Sequence, residues 1–175
     1  MGFSVTISST IVLIAMIAVS ASLLGVVYQS LKEVSNLTNN YVCRERDKLH
    51  VSLSLTVDSV NATACNITVR NTGSKVIHLE SQNGYNWNTI VLSYGNSTLW
   101  QSYPIEEYTV TTIRVSGTSY AFNLENHPFI NPGEEASITF KIPNGAPEIP
   151  LNGLVSVVFV THYGVAASGE GVRTG

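Results

Sequence analysis

The chain has 175 residues and a net charge of −3, and only 12% of its residues are charged, about half the usual share in a soluble domain. All nine basic and twelve acidic side chains lie after residue 31, so an uncharged N-terminal segment precedes a longer C-terminal region. This length suits one domain with a short appendage and argues against a two-domain enzyme. Beyond Arg44, Arg46 and Lys48 there is no basic cluster, so the sequence has no electrostatic footprint for nucleic acid.

The uncharged N-terminal segment predicts a membrane-spanning helix. Val5–Tyr28 is 24 residues long, and at about 1.5 Å rise per residue such a helix spans roughly 36 Å. This length crosses a bilayer core of about 30 Å. A cleaved secretory signal would need a basic n-region, and Met1–Ser4 carries no basic side chain. We therefore expect an uncleaved transmembrane helix over residues 1–31.

The segment 32–48 after this helix predicts a linker or an extension of the helix, because apolar residues keep a helical spacing from Leu31 to Leu37. Its basic residues, of which Lys32 and Arg44 are the first, would place this side of the membrane in the cytoplasm. Acidic residues accompany them, however, and long domains translocate largely regardless of flanking charge. These charges leave the orientation open.

Residues 49–175 predict an antiparallel β-sandwich. From Leu49 to Val57 apolar and polar residues alternate with a period of two, which places one face of a strand in a core and the other in water. The alternation continues over Cys65–Val69, and turns rich in Asn, Gly and Pro separate further β-rich runs. Seven or eight such strands are typical of a sandwich, with a small barrel as the alternative. The further runs are Lys75–Leu79, Thr89–Tyr94, Thr109–Val115, Ala136–Ile142 and Leu154–Thr161.

Cys43 and Cys65 are the only cysteines in the chain. An even count in a domain rich in Ser, Thr and Asn is consistent with one disulfide. The closed loop of roughly 20 residues would add about 3 kcal/mol in the chain-entropy model. Because Cys65 lies on the apolar face of the second predicted strand, a buried core thiol is an equally good interpretation.

Four Asn-X-Ser/Thr sequons are candidate N-glycosylation sites. Asn36 lies in the segment after the span and Asn96 in a predicted turn, where both are accessible. Asn66 lies in the middle of a predicted strand and is less accessible, and Asn61 completes the set. A chain so rich in Asn, Ser and Thr contains several sequons by chance, so their number alone indicates nothing.

The sequence predicts no catalytic, metal-binding or cofactor-binding centre. No nucleophile elbow, phosphate-binding loop or dinucleotide-binding motif occurs. The adjacent pairs Glu106–Glu107 and Glu134–Glu135 would point to opposite faces of a strand, unlike the opposed carboxylates of hydrolases. The histidines also lack the spacing of a zinc-binding helix, and we expect structural roles for them. They are His50, His78, His127 and His162.

The stretch Tyr85–Tyr108 holds both tryptophans and most of the tyrosines. Exposed aromatic side chains with few neighbouring charges are typical of protein–protein contact sites, although Trp87 and Trp100 could equally fill the core of the sandwich. We expect a partner-binding surface here. Its candidate residues are Tyr85, Trp87, Tyr94, Trp100 and Tyr103.

Three motifs occur at separate places in the chain. Met1–Ser4 runs directly into an uncharged helix, Val69–Ser74 reads VRNTGS, and Ile130–Glu134 reads INPGE. Together they resemble the FlaF/FlaG family of archaellum stator proteins. The order of an N-terminal helix and a β domain is similar over most of the chain, whereas the similar motifs cover only about 20 residues. The resemblance implies a single-span protein of the cell membrane whose immunoglobulin-like sandwich lies outside the cell, which resolves the orientation.

The resemblance also implies a non-enzymatic function. A protein of this family would bind the S-layer protein, associate with archaellum components such as FlaG and contact membrane lipid through its helix. Formation of a homodimer or a larger homo-oligomer would strengthen this binding by avidity. A filament subunit like a pilin or archaellin is the alternative, but such subunits carry a basic residue before the processing glycine, whereas only Met1 precedes Gly2. A binding module for another surface ligand is the second alternative.

Overall fold

The computed structural model describes residues 2–79, 86–95 and 99–174, without the side chains of residues 2–6. One long helix is followed by antiparallel β-strands, as the sequence predicts. The chain divides into two compact units between Glu45 and Arg46. The first unit consists of helix, and the second contains every strand.

Helix α1 spans Gly2–Leu49 without a break. It contains the one stretch of the described chain that is long and apolar enough to cross a membrane. Residues 32–48 are therefore an extension of the helix, because no glycine or proline occurs between Gly25 and Gly73 to end it earlier. Arg46 and Lys48 lie in its last turn, where basic side chains complement the helix dipole.

The surface of α1 is strongly apolar. Its large apolar side chains from Ile7 to Val42 are each more than half exposed in the single chain, and apolar surface of this extent is unfavourable in water. The hydroxyl of Ser22 donates to the carbonyl oxygen of Ala18 at 2.9 Å, so this polar group is satisfied within the helix, as a lipid environment requires. The helix is built for contact with lipid or with other apolar protein surface.

The strands form two main sheets and one short ribbon. The five-stranded sheet has the order β1-β2-β9-β6-β7, the four-stranded sheet has the order β11-β10-β4-β5, and β3 pairs with β8. Every pairing is antiparallel. The strands are β1 (Leu53–Val60), β2 (Ala64–Asn71), β3 (Ile77–His78), β4 (Thr89–Gly95), β5 (Trp100–Ile105), β6 (Tyr108–Val115), β7 (Ala121–Phe122), β8 (Phe129–Ile130), β9 (Glu134–Lys141), β10 (Leu154–Val160) and β11 (Ala166–Val172).

Alternate residues of both sheets form the core. Ile67 of β2 is paired with Ile138 of β9, and both are fully buried. Leu92, Val157 and Phe159 of the four-stranded sheet are equally buried and belong to the same apolar cluster. This period-two burial explains the alternation in the sequence and confirms the predicted β-sandwich.

The two cysteines are both free in the structure, and a disulfide between them stays a prediction. Cys43 is exposed on α1, whereas Cys65 is 1% exposed on the inward face of β2. Burial raises the pKa of the Cys65 thiol to about 11, so the group is protonated and unreactive at neutral pH. Cys65 is a small apolar residue of the core, the alternative that the sequence left open.

The edge strands β1 and β11 pack closely against each other. A Cβ atom on Gly169 of β11 would lie 2.4 Å from Leu55 Cδ2 and 2.9 Å from the Leu55 carbonyl oxygen. A Cβ atom on Gly171 would lie 2.6 Å from Val57 Cγ1. Only glycine fits at these two positions, and the close approach of the strands closes one side of the sandwich. The requirement for glycine also explains why β11 has few residues that favour β-strands.

We predict that Gly169→Val lowers the free energy of unfolding by about 1–3 kcal/mol, because the added side chain overpacks the contact with Leu55. At about 2–4 °C per kcal/mol, circular dichroism of the full chain in detergent should show a fall in Tm of several degrees. Ser168→Val, on the exposed neighbouring position of the same strand, is the control and should change Tm little. An unchanged Tm for Gly169→Val would contradict the close packing.

Candidate functional site

The motifs VRNTGS and INPGE meet at the buried side chain of Asn71. Its Nδ2 donates to the carbonyl oxygens of Lys75 at 2.7 Å and Ile130 at 3.0 Å, and its Oδ1 accepts from the amide of Gly73 at 3.0 Å. Its own carbonyl oxygen accepts from the amide of Gly133 at 3.0 Å. Asn71 is fully buried, so the two motifs act here as structural turns that hold each other.

The VRNTGS turn also holds the start of the sandwich unit. The amide of Ser74 donates to the His50 carbonyl oxygen at 2.9 Å. A Cβ atom on Gly73 would lie 2.5 Å from the backbone nitrogen of Ser52, so this approach requires glycine. Lys75 Nζ lies 2.8 Å from Asp47 Oδ1, and the hydrogen bond from Lys75 lowers the pKa of Asp47. These contacts fix residues 46–52 on the turn.

The INPGE turn contains a buried carboxylate. Glu134 accepts from the amide of Asn131 at 2.7 Å, from Asn131 Nδ2 at 3.1 Å and from His127 Nε2 at 2.9 Å. Burial by itself raises the pKa of Glu134, but the hydrogen bonds from His127 and Asn131 outweigh it, and the pKa is lowered. These three contacts come from residues 127 and 131, a few positions before Glu134 in the chain, which indicates a structural role for the carboxylate.

The predicted aromatic surface divides into an exposed and a buried part. Trp87 is 52% exposed and Trp100 is 49% exposed. Tyr94 is instead 2% exposed, its ring lies 5.2 Å from that of half-buried Tyr103, and its hydroxyl donates to the Pro147 carbonyl oxygen at 2.5 Å. Burial raises the pKa of Tyr94 to about 12. The two tryptophans are therefore available for contact, and Tyr94 belongs to the core.

Tyr85 and Asn96, the remaining aromatic candidate and one of the sequons, lie outside the described residues. Of the other sequons, Asn36 is exposed on α1 and Asn61 is exposed at the turn between β1 and β2. The amide group of Asn66 donates to Ser59 Oγ at 2.9 Å and accepts from Thr139 Oγ1 at 2.8 Å. Both ends of the Asn66 side chain are thus already occupied.

A groove of about 1030 Å³ lies beside β5. It is lined by residues 103–109, which include the exposed Glu106 and Glu107, and by residues 139–144 and Asn86. The carboxylates of Glu106 and Glu107 are accompanied by the exposed Lys141. The aromatic and apolar groups of this lining are typical of the core of a protein-contact surface, and its charged groups are typical of the rim.

β5 is the last strand of its sheet in the described structure. It carries Pro104, paired with Val91 of β4. Proline has no amide hydrogen, so it interrupts the row of donors that a further strand would need. We therefore expect a partner to contact the side chains of β5, including Trp100, and not to pair with the backbone of β5 as a further strand.

The described residues contain no group of three or more His, Cys, Asp and Glu side chains that could hold a metal ion. Two histidines that are far apart in sequence nevertheless meet, because the rings of His78 and His162 have their centroids 5.7 Å apart. The edge of Trp87 lies against His162 at 5.6 Å between centroids. Sequence spacing did not reveal this pair, because β3 and the turn after β10 approach each other only in the folded sandwich.

The sequence profile of the archaeal-type flagellin family matches residues 2–170. The chain belongs to the archaeal-type flagellin family. This makes it an archaellum-related protein. A comparison with curated proteins found no match.

Among solved structures, this flagellin-family chain is similar to the archaeal flagellum of Methanospirillum hungatei strain JF1, with 13% identity and a TM-score of 0.57 over 96% of this chain and 93% of that one. It also matches two structures from Sulfolobus acidocaldarius. The archaellum periplasmic stator protein complex FlaF and FlaG has 16% identity and a TM-score of 0.42 over 67% and 88% of the two chains. The stator protein FlaG has 15% identity and a TM-score of 0.42 over 69% and 100%.

We predict that the stability of this flagellin-family protein falls in acid because of Glu134. A carboxyl group whose pKa is lowered on folding stabilises the protein above its unfolded pKa of about 4.5, and this stabilisation is lost as the pH falls through the folded pKa. Glu135 adds to the slope, because a hydrogen bond from Ser116 and the neighbouring Arg114 lower its pKa.

Thermal unfolding of the full chain between pH 7 and pH 3 checks this prediction. Glu134→Gln should lower Tm at pH 7, because a carboxylate that accepts three hydrogen bonds is lost, and should make the fall in acid shallower. Glu125→Gln changes an exposed carboxylate and should leave the curve close to that of the parent protein. An equally steep fall for Glu134→Gln would show that other groups cause the acid unfolding.

Proposed function

We propose that the protein is a membrane-anchored stator component of the archaellum. In this proposal α1 is fixed in the cell membrane, and the sandwich lies outside the cell and binds the S-layer protein. The protein would then transmit the reaction force of the motor torque from the filament machinery to the cell envelope. Archaellum components such as a FlaG-like protein and a second copy of this chain are the further proposed partners.

The change of character along α1 carries the proposal. Residues 7–31 of the helix contain no charged side chain, and 25 helical residues span roughly 37 Å, the length of one bilayer crossing with slight tilt. From Lys32 to Lys48 the helix carries seven charged residues, which are costly in lipid. A helix with one uncharged half and one charged half suits a single-span anchor that projects from the membrane.

The surface of the sandwich supports binding to a protein lattice. Trp87 and Trp100 are half exposed, and tryptophan is among the residues that contribute most to protein–protein contacts. The groove beside β5 offers a concave surface on the same strand as Trp100. We propose Trp87 and Trp100, together with Tyr85, as the residues that contact the S-layer protein. The exposed Asn36 and Asn61 are proposed glycosylation sites in this compartment.

We predict that the full-length protein in detergent micelles co-sediments with S-layer sheets isolated from the same cells. The double variant Trp87→Ala/Trp100→Ala should weaken binding at least about tenfold, because truncation of contact tryptophans costs about 2 kcal/mol or more. Tyr120→Ala is the control, since Tyr120 is an equally exposed aromatic residue outside the proposed surface, and it should bind like the parent protein.

Absence of co-sedimentation by the parent protein would reject the stator proposal. Parent-like binding by the tryptophan double variant would reject the proposed surface but not the function. Circular dichroism of each variant establishes that the fold is retained, so that a loss of binding reports on the contact.

A filament subunit is the second candidate function. It is supported by the family description and by a likeness to the Methanospirillum hungatei flagellum that includes the helix as well as the sandwich. In a filament, the apolar surface of α1 would be buried against the helices of neighbouring subunits instead of lipid. Electron microscopy after detergent removal in the presence of lipid separates the two: long helical fibres support the subunit, and incorporation into vesicles supports the anchor.

A further inference from the structure

His78 and His162 are held next to each other by a third, buried residue. His78 ends β3, and His162 lies in the turn that follows β10. Asn88 is 5% exposed, and its Nδ2 donates to the His78 carbonyl oxygen at 2.8 Å while its Oδ1 accepts from the amide of His162 at 3.2 Å. One side chain thus fixes the two backbone segments that carry the imidazoles.

The turn that carries His162 is itself rigid. Thr161 Oγ1 donates to the Val165 carbonyl oxygen at 3.1 Å, and the amide of Gly164 donates to the Thr161 carbonyl oxygen at 2.8 Å. The Tyr163 hydroxyl donates to the Val76 carbonyl oxygen at 3.3 Å, next to β3. The hydrogen bonds therefore fix the spacing of the two backbone segments that carry the imidazoles, as a preorganised ligand pair requires.

The separation of the rings matches two ligands of one metal ion. A zinc–nitrogen bond of about 2.0–2.1 Å places the centroid of an imidazole about 3.2 Å from the ion. Two such rings are then roughly 5.2 Å apart at the tetrahedral angle and about 6.4 Å apart in a linear arrangement. The observed 5.7 Å between His78 and His162 lies between these limits.

The ring of His162 has an unused polar atom. Its Nδ1 is buried and has no hydrogen-bond partner among the residues that the structure describes, although a buried polar atom is normally satisfied. Burial, and then the neighbouring His78, lower the pKa of His162, which favours its neutral imidazole. The neutral imidazole is the form that binds metal ions.

We infer that His78 and His162 form a two-histidine site for a divalent late transition-metal ion such as Zn²⁺, Ni²⁺ or Cu²⁺, held in register by Asn88. Imidazole nitrogen is a preferred ligand of these ions. The described residues supply two side-chain ligands, so water completes the coordination sphere. Because His78 is exposed, the site is open to solvent on the side of His78, where an external ligand can replace water.

Isothermal titration of the full-length protein with Ni²⁺ and Zn²⁺ tests this inference, with the protein purified in detergent without a polyhistidine tag. The parent protein should bind one ion saturably. His78→Ala and His162→Ala should each weaken binding at least about tenfold, since even the loss of a supporting outer-shell partner costs about 10–100-fold. His50→Ala removes an exposed histidine outside the pair and should bind like the parent protein.

Electron paramagnetic resonance of the Cu²⁺ complex gives a readout that a structural role would not change. The parent protein should show hyperfine coupling to two imidazole nitrogens, and His78→Ala should show coupling to one. His78 is exposed, so His78→Ala is expected to keep the Tm of the metal-free parent protein and remains interpretable even if His162→Ala unfolds.

Absence of saturable binding by the parent protein would overturn the inference. Parent-like affinity in His78→Ala, or an equal loss of affinity in His50→Ala, would also overturn it, because the ion would then be held by other groups.

Discussion

The buried side-chain amide of Asn71 joins the two turns that carry the motifs VRNTGS and INPGE. It bonds to the backbone at Gly73, Lys75 and Ile130. Its removal would take a donor from the carbonyl oxygens of Lys75 and Ile130, at about 1–3 kcal/mol for each group left unsatisfied, whereas the amide of Gly73 also donates to the Ser52 carbonyl oxygen at 3.0 Å. Through the first turn it supports residues 46–52, and through the second it supports Glu134. The motifs most recognisable in the sequence therefore maintain the fold, and the proposed partner contacts lie on other surfaces.

The two units of the chain differ in whether they bury their apolar side chains. The sandwich buries its apolar side chains against itself and leaves a polar exterior, whereas α1 exposes apolar side chains along most of its length. Such a helix is stable only when lipid or other protein covers it, since apolar surface of this size is unfavourable in water. An anchor and a filament subunit both satisfy this requirement. They differ in what covers the charged part after Lys32, which is solvated in an anchor and packed among neighbouring subunits in a filament.

Sequence periodicity predicted the strands in which buried and exposed residues alternate. It did not predict the strands whose residues are set by close packing or by an edge position. Each predicted run overlaps an observed strand, because the inward residues of β2, β4, β6 and β9 are mostly apolar. β11 was not predicted, since its glycines are required by Leu55 and Val57 of a strand more than a hundred residues away. β5 was missed because an edge strand with Pro104 has little apolar alternation. The exposure of Trp87 and the pairing of His78 with His162 depend likewise on three-dimensional packing that no local pattern encodes.

The low charge of the sandwich follows from the way its outer surface satisfies polar groups. On the five-stranded sheet, Thr139 donates to Asn66, Asn66 donates to Ser59, and Thr68 donates to Asp58 at 2.6 Å. Hydroxyl and amide groups thus form cross-strand pairs on this face, beside the ion pair of Arg114 with Glu135. Such a surface gives little electrostatic steering to an approaching partner. Specific contact then depends on shape and apolar area, which this domain presents where Trp87, Trp100 and the groove beside β5 interrupt the polar exterior.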